Sequence, residues 1–258
     1  MVQTAIRAAI LIVSLSLAAS AQVVRIPGPG GKTATADSCT GNLLFSWHFE
    51  DTTVTSGSPG GCSVGDTTAT ATGTGTTLSA TQFEDGAKAG YFPDAADGGG
   101  TNRYYTFDVA AEDIVKNNQG TIDLWIYVTT FVNGGVVFDT AADGNNGIGL
   151  SETTASTINQ FRIDVNAGGT FRHATTTFAS NFLLNTWYHV IAKWDHTAHS
   201  SNYIQICADT TTGTTNCGVT TTALGTWAGT LASEIWGNQG SGATTFYIDN
   251  VKVYGTWQ

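Results

Sequence analysis

Short apolar runs separated by clusters of Gly, Asn, Asp and Thr recur from Leu43 to Tyr254, and this pattern constrains the fold more than any other feature of the chain. Such runs between turn-forming clusters are typical of β-strands. Helical patterning is confined to about two turns at Ala110 to Asn117, where Glu112 and Asp113 favour a helix N-terminus. We therefore predict an all-β fold, a β-sandwich or jelly roll with one short helix.

Two segments predict β-hairpins. The first runs from Thr121 to Phe138 and turns at Asn133-Gly134-Gly135, and the second runs from Gln160 to Thr176 and turns at Asn166-Ala167-Gly168-Gly169. Asn and Gly are the residues that tight turns require. The Thr- and Gly-rich stretch from Ser63 to Thr81 predicts one or two edge strands.

The charge balance restricts the partners of this chain. Ten Lys and Arg stand against twenty Asp and Glu, which gives a formal net charge of −10. A chain with a net negative charge releases few counterions from phosphates, so nucleic acid is excluded as a partner. The hydrophobic fraction of 41% is too high for a disordered chain.

The N-terminal segment has the features of an export signal. Arg7 precedes the apolar stretch Ala8 to Leu17, and the small residues Ala19-Ser20-Ala21 follow. This stretch is shorter than the roughly 20 residues that span a bilayer. We predict a signal peptide at 1–21, an arm or linker at 22–42 and one domain at 43–258, with no membrane span after cleavage and a secreted, extracellular or cell-surface location.

The four cysteines favour disulfides. Cys39, Cys62, Cys207 and Cys217 are even in number and lack the paired spacing of zinc sites. Three connectivities are open. We favour Cys39 with Cys62 and Cys207 with Cys217, because each pair is local and the second flanks a Thr- and Gly-rich turn.

The segment Asn185-Thr186-Trp187-Tyr188-His189-Val190-Ile191-Ala192-Lys193-Trp194-Asp195 resembles the signature strand of laminin-G-like, concanavalin A-like jelly-roll domains. Segments 44–51, 120–126 and 246–254 resemble the opening, central and closing strands of that family, in the expected order. The resemblance implies two antiparallel sheets, one of them concave, with the first and last strands adjacent. The family includes glycan-binding modules, adhesins, glycosidases and virion parts, so the fold alone does not determine function.

The strand from Tyr188 to Trp194 has large residues on both faces, because side chains alternate along a strand. One interpretation is that sheet and loops cover both faces and that His189 is structural. The other is that the outer face is an aromatic groove on which sugar rings stack. The candidate ligand-binding residues are Trp125, Trp187, His189, Trp194 and Trp236, most of which we also expect in the core.

Calcium is the one metal that the sequence suggests. Members of the resembled family often hold this ion near the paired terminal strands, and it needs several oxygen ligands. The candidate ligands are Glu50, Asp51 and Asp249, and Asp249 matches the acidic position of the closing strand. An equally favoured interpretation is three carboxylates at strand ends.

The sequence favours binding over catalysis. A retaining glycosidase needs two carboxylates about 5 Å apart, and the sequence has no Glu-x-Asp-x-x-Glu strand to supply them. An inverting pair assembled from distant strands stays open. We predict a secreted non-catalytic module for glycan binding or surface attachment. The alternatives are a virion or cell-surface structural protein that binds a neighbouring protein, and an exported polysaccharide-degrading enzyme.

Overall fold

A computed structural model describes residues 42–49, 69–72, 77–93, 103–107, 118–140, 146–155, 157–227, 234–238 and 244–258. Fifteen strands lie in this part of the chain, and it contains no helix. The strands are β1 Leu43–Trp47, β2 Ala69–Thr72, β3 Thr77–Ser79, β4 Ala89–Phe92, β5 Arg103–Phe107, β6 Gln119–Thr130, β7 Val136–Thr140, β8 Gly147–Ala155, β9 Ile158–Ala167, β10 Thr170–Thr175, β11 Trp187–His199, β12 Asn202–Asp209, β13 Gly218–Thr220, β14 Glu234–Asn238 and β15 Thr245–Tyr254.

The strands form two antiparallel sheets. Sheet I has the order β13-β12-β11-β6-β15-β4-β3, with β1 also paired to β15, and sheet II has the order β10-β9-β8-β7-β14-β5-β2. The pairing of β1 with β15 places the first and last strands side by side, as the family resemblance implies. The predicted all-β, two-sheet jelly roll is therefore confirmed.

The core lies between the sheets because each strand turns one face inward. Ile122, Leu124 and Ile126 alternate along β6 and are buried, and Phe161 and Ile163 do the same along β9. Alternation of this kind is the signature of a sheet that buries one side. The outer faces of both sheets are therefore the surfaces available for a functional site.

The hairpin predictions had different outcomes. β9 and β10 pair across the turn at Gly168 and Gly169, both of which have positive φ, so this hairpin is confirmed. The predicted hairpin from Thr121 to Phe138 is wrong, because β6 lies in sheet I and β7 lies in sheet II. The segment 131–135 crosses between the sheets, and Gly134 and Gly135 bond to the backbone of Glu152 on β8. Pairing of β6 with the distant strands β11 and β15 outweighs the local turn signal.

The edge-strand prediction for Ser63 to Thr81 is also confirmed, since β2 ends sheet II and β3 ends sheet I. The predicted short helix at 110–117, the signal peptide at 1–21 and nearly all of the predicted arm at 22–42 fall outside the described residues, as do Cys39 and Cys62.

Candidate functional site

The outer face of sheet I contains three of the five predicted ligand-binding residues. Trp187 and His189 point outward from β11, and Trp125 lies opposite His189 on β6. The rings of Trp125 and His189 stack with centroids 4.8 Å apart and an angle of 5° between their planes. The sequence pattern thus correctly separates the two faces of β11.

His189 is held as a structural residue. Its Nε2 lies 2.6 Å from Oδ1 of Asp123. Burial lowers the pKa of His189, but the hydrogen bond and the charge of Asp123, with the charge of Asp209, raise it above its ordinary value overall. Because its ring stacks on Trp125 on one side, His189 offers little free surface to a ligand.

A Thr-rich loop covers this end of sheet I. Residues 210–217 connect β12 to β13, and the disulfide between Cys207 and Cys217 closes the loop, which confirms that predicted pair. A Cβ atom on Gly213 would lie 3.1 Å from the His189 ring, so the loop lies directly on it. The loop therefore covers part of the His189 ring, and a ligand role for His189 stays a prediction.

Asp209 organises that loop. Its Oδ1 accepts the N–H groups of Thr211, Thr212 and Gly213, and its Oδ2 accepts those of Thr214 and Thr215. Burial raises the pKa of Asp209, but these backbone donors together lower it well below its ordinary value. The carboxylate thus replaces the backbone acceptors that a tight loop lacks.

Asp249 has the same role on the opposite side of Trp125. Its Oδ2 accepts the N–H groups of Glu84 and Asp85, and its Oδ1 accepts that of Asn250. Burial raises the pKa of Asp249 well above its ordinary value, against these donors. These N–H donors show that Asp249 anchors the turn that contains Glu84 and Asp85.

The other two predicted calcium ligands, Glu50 and Asp51, lie outside the described residues. In the described part of the chain, no three Asp, Glu, His or Cys side chains gather as a metal site would require. Asp249 by itself does not supply the several oxygens that calcium needs. The calcium site stays a prediction, tested by whether calcium raises the melting temperature.

Trp194 offers no stacking face, because it is fully buried and packs where a Cβ atom on Gly120 would otherwise lie. Its assignment as a ligand-binding residue is therefore incorrect. The side chain of Trp236 is not among those described. Trp187 is half-buried at the end of an aromatic row that crosses four strands of sheet I. The members of this row are Tyr91, Tyr247, Tyr127 and Trp187.

The outer face of sheet II, by contrast, carries an open cleft of about 760 Å³. Strands β7, β8, β9 and β10 form its floor, and its lining is mostly polar. The side chains that define this sheet II cleft are those of Asp139, Ser151, Thr153, Arg162, Asp164, Asn166 and Phe171. A concave site with several converging polar groups is the usual form of a ligand pocket.

One cross-strand row gives the cleft its chemistry. Asp139 on β7 pairs with Gly149 on β8, which pairs with Asp164 on β9, and Asp164 pairs with His173 on β10. Neighbouring strands lie about 4.8 Å apart, so the backbones of Asp139 and Asp164 are separated by about 10 Å. Gly149 has no side chain, and this leaves space between the two carboxylates.

The wall of the cleft is aromatic and cationic. Phe171 is 49% exposed, which is unusual for a phenylalanine, and the guanidinium carbon of Arg162 lies 5.8 Å from the centre of its ring. Arg162 also donates from Nε to Oδ1 of Asp164 over 2.7 Å. The Phe171 ring is therefore supported on one side and open to solvent on the other.

Asp139 is a buried acid of the cleft with a shifted pKa. Its pKa is raised to about 6. Burial is the largest cause, the N–H group of Thr140 opposes it, and the negative charge of Asp164 adds to it. Burial also raises the pKa of Asp164, whereas Arg162 and His173 lower it. Perturbed carboxyl groups in a cleft are typical of functional sites.

Sequence reasoning missed this cleft. Asp139, Gly149 and Asp164 lie on three strands and have no common spacing, so no motif connects them. The prediction that catalytic acids are lacking considered single strands, and it did not bring Asp139 and Asp164 into one cleft. The available signal was the alternation Arg162-Ile163-Asp164-Val165-Asn166, which places three polar groups on one face of β9.

The fold and the cleft together define a class of protein, a jelly-roll domain with a polar cleft on the outer face of one sheet. The chain belongs to a laminin-G-like family described as the concanavalin A-like lectin/glucanases superfamily, whose model matches residues 98–257. No curated protein matches the chain at a significant level.

Solved structures share this fold at low sequence identity. Domain 4 of the extracellular arabinanase AbnA from Geobacillus stearothermophilus, in complex with arabinotriose, has a TM-score of 0.58 and 13% identity, covering 83% of this chain and 92% of that one. The receptor-binding domain of botulinum neurotoxin C/D mosaic serotype has a TM-score of 0.56 and 8% identity, covering 84% and 48%. The binding domain of Paraclostridial Mosquitocidal Protein 1 has a TM-score of 0.54 and 12% identity, covering 84% and 49%. The chain thus spans about half of each toxin domain.

No helix in the described residues combines the length and apolar character that crossing a bilayer demands.

Proposed function

We propose that this chain is a non-catalytic glycan-binding module and that its ligand lies in the sheet II cleft. The observation that carries this proposal is an exposed aromatic ring, Phe171, beside a floor of carboxylate, guanidinium, amide and hydroxyl groups. Sugar rings present apolar faces and hydroxyl edges, so an aromatic wall with polar neighbours is complementary to them. The arabinotriose held by the similar arabinanase domain supports the same ligand class.

We favour the sheet II cleft over the aromatic surface of sheet I because the aromatic side chain of the cleft is more exposed to solvent. Trp125 is only 9% exposed and His189 is covered by a loop, whereas Phe171 is half-exposed. The proposal therefore moves the binding site from the face that the sequence suggests to the opposite face of the sandwich.

Calorimetric titration with a panel of oligosaccharides that includes arabinotriose tests this proposal. Phe171→Ala should weaken binding about fivefold or more, because it removes the aromatic wall. Leu183→Ala is the matched control, since Leu183 is 65% exposed and does not line the cleft. Loss of binding in Trp187→Ala with none in Phe171→Ala would place the ligand on sheet I instead.

Hydrolysis is a second candidate, and the acid pair favours it. Two carboxylates on opposite sides of a cleft floor, with one pKa near 6, match the needs of an inverting glycosidase. Binding is favoured because Arg162 already occupies Oδ1 of Asp164. A reducing-sugar assay on polysaccharides tests this candidate, and product that Asp139→Asn abolishes would show catalysis.

We further propose that the protein is exported and acts outside the cytoplasm. The disulfide between Cys207 and Cys217 supports this location, because disulfides persist in oxidising compartments. Mass spectrometry of the secreted protein should find Gln22 at the N-terminus and a second bridge between Cys39 and Cys62. A virion or surface-layer role stays the alternative, and light scattering with and without residues 22–42 tests it.

A further inference from the structure

Charge is distributed unevenly over the sheet II cleft. Asp164 is balanced by Arg162, whose Nε lies 2.7 Å from its Oδ1, and 31% and 19% of these two side chains are exposed. Asp139 forms no ion pair with any basic side chain among the described residues. Asp139 is therefore a cleft carboxylate whose charge no described basic side chain neutralises.

The residues around Asp139 explain why no described basic side chain neutralises its charge. Across β8 the facing residue is Gly149, which has no side chain, and Ser151 follows on the same face. The titratable groups beyond are Asp164 and Arg162 on β9 and His173 on β10, while β14 pairs Ile235 with Asp139. Among the side chains that the structure describes on β7 to β10, the basic group nearest to Asp139 is on β9, where Arg162 already pairs with Asp164.

Gly149 provides the space for a ligand group. A Cβ atom built there would lie 3.8 Å from Oδ1 of Asp139 and would meet no closer atom. Packing therefore does not require glycine at this position. A glycine inside a strand often marks a bulge, a tight bend or a place where a ligand approaches the backbone, and the pairing of β8 with β9 is unbroken at Gly149.

We propose that the sheet II cleft selects glycans that carry a free amine, with the protonated amine of an amino sugar seated over Gly149 against the carboxylate of Asp139. This inference rests on the proposed glycan-binding function and names the ligand class of the same site. Phe171 supplies the aromatic wall for the sugar ring, and Arg162 with Asp164 supplies hydrogen bonds for its hydroxyl groups. The net charge of −10 attracts a cationic glycan and repels uronic or sulfated ones.

The test uses two ligands that differ only in the amine. The β-1,4-linked glucosamine tetramer and its fully N-acetylated counterpart are titrated calorimetrically into the full protein near pH 7, with arabinotriose as a neutral third ligand. We expect the free-amine tetramer to bind about tenfold more tightly or better, as a charge-assisted hydrogen bond provides. The difference should shrink when salt is added, since screening weakens a partly exposed ion pair.

Two variants assign the effect to Asp139. Asp139→Asn keeps the shape of the side chain and should remove the preference for the free amine. Asp85→Asn removes the same charge from a turn on sheet I, keeps the acceptor for the N–H group of Gly86, and should leave the preference intact. A thermal melt of each variant shows that it is folded.

The outcomes separate this inference from the function on which it rests. Equal binding of the two tetramers, or a preference that survives in Asp139→Asn, overturns the amine selectivity. Binding of arabinotriose or the acetylated tetramer without the free-amine tetramer also overturns it and leaves glycan binding intact. Binding of no oligosaccharide at all, in a folded protein, overturns both.

Discussion

At the residue scale, three aspartates show how environment decides the role of one side chain. Asp209 and Asp249 each accept several backbone N–H groups and anchor a segment over sheet I. Asp139 borders an open cleft, and its pKa is raised to about 6. Composition counts all three as equal negative charges, and only their hydrogen-bond partners distinguish the two anchors from the acid at the open cleft.

Asp209→Asn should lower the free energy of unfolding by about 2–3 kcal/mol at pH 7, since an amide group cannot accept the donors on both sides of the loop. The folded-state pKa of Asp209 is depressed, so its contribution is complete above the unfolded value near 4 and declines as the pH falls below it. Chemical denaturation of wild type and variant should therefore show a gap that is constant above about pH 5 and narrows below pH 4. A gap that does not change with pH would contradict the role of the carboxylate charge.

Asp139→Asn should stabilise the protein at neutral pH, because the folded state raises the pKa of this acid and so disfavours its charge. Below pH 4 both states are protonated and the variant should match wild type. The free energy of unfolding of the variant should rise relative to that of wild type as the pH increases from about 4 to 6. Above that range the difference should stay at about 2–3 kcal/mol. Melting curves at pH 4 and pH 8 check this, and a variant less stable than wild type at pH 8 would argue that Asp139 is structural.

At the scale of elements, short sequence motifs predicted the turns whose geometry depends on neighbouring residues. The β9–β10 hairpin follows from Gly168 and Gly169, which can adopt positive φ within a two-residue turn. The Thr-rich loop closed by Cys207 and Cys217 also follows from its sequence. Asn133-Gly134-Gly135 carries an equally strong turn signal, yet it joins two sheets, because the partners of β6 are distant in sequence.

Gly149→Val tests the cleft at this scale. Gly149 adopts no positive φ, and a small side chain meets nothing closer than 3.8 Å, so the strand should accept valine. The added methyl groups would fill the space between Asp139 and Asp164 without altering either acid. Binding should fall at least tenfold while the melting temperature changes little, as calorimetry and a melt would show. Unchanged affinity would indicate that the ligand does not enter this part of the cleft.

At the scale of the whole molecule, the fold was predictable and the site was not. Alternation of apolar and polar residues along β9 and β11 predicts strands that bury one face, and the four segments that resemble laminin-G-like strands add the jelly-roll order. The cleft depends on the order of strands within sheet II, which no local pattern encodes. Alternation along β11 separates Trp187 from Trp194, but it does not tell which face is the outer one, because aromatic residues occupy both faces.

Titration of isotope-labelled protein with an oligosaccharide that binds, followed by amide chemical shifts, tests whether the ligand lies in the sheet II cleft. We expect the largest changes on the cleft strands, at Gly149, Ser151, Asp164 and Phe171, with little change at Trp187 or Tyr127. Changes concentrated at Trp187 and Tyr127 on sheet I would contradict this expectation.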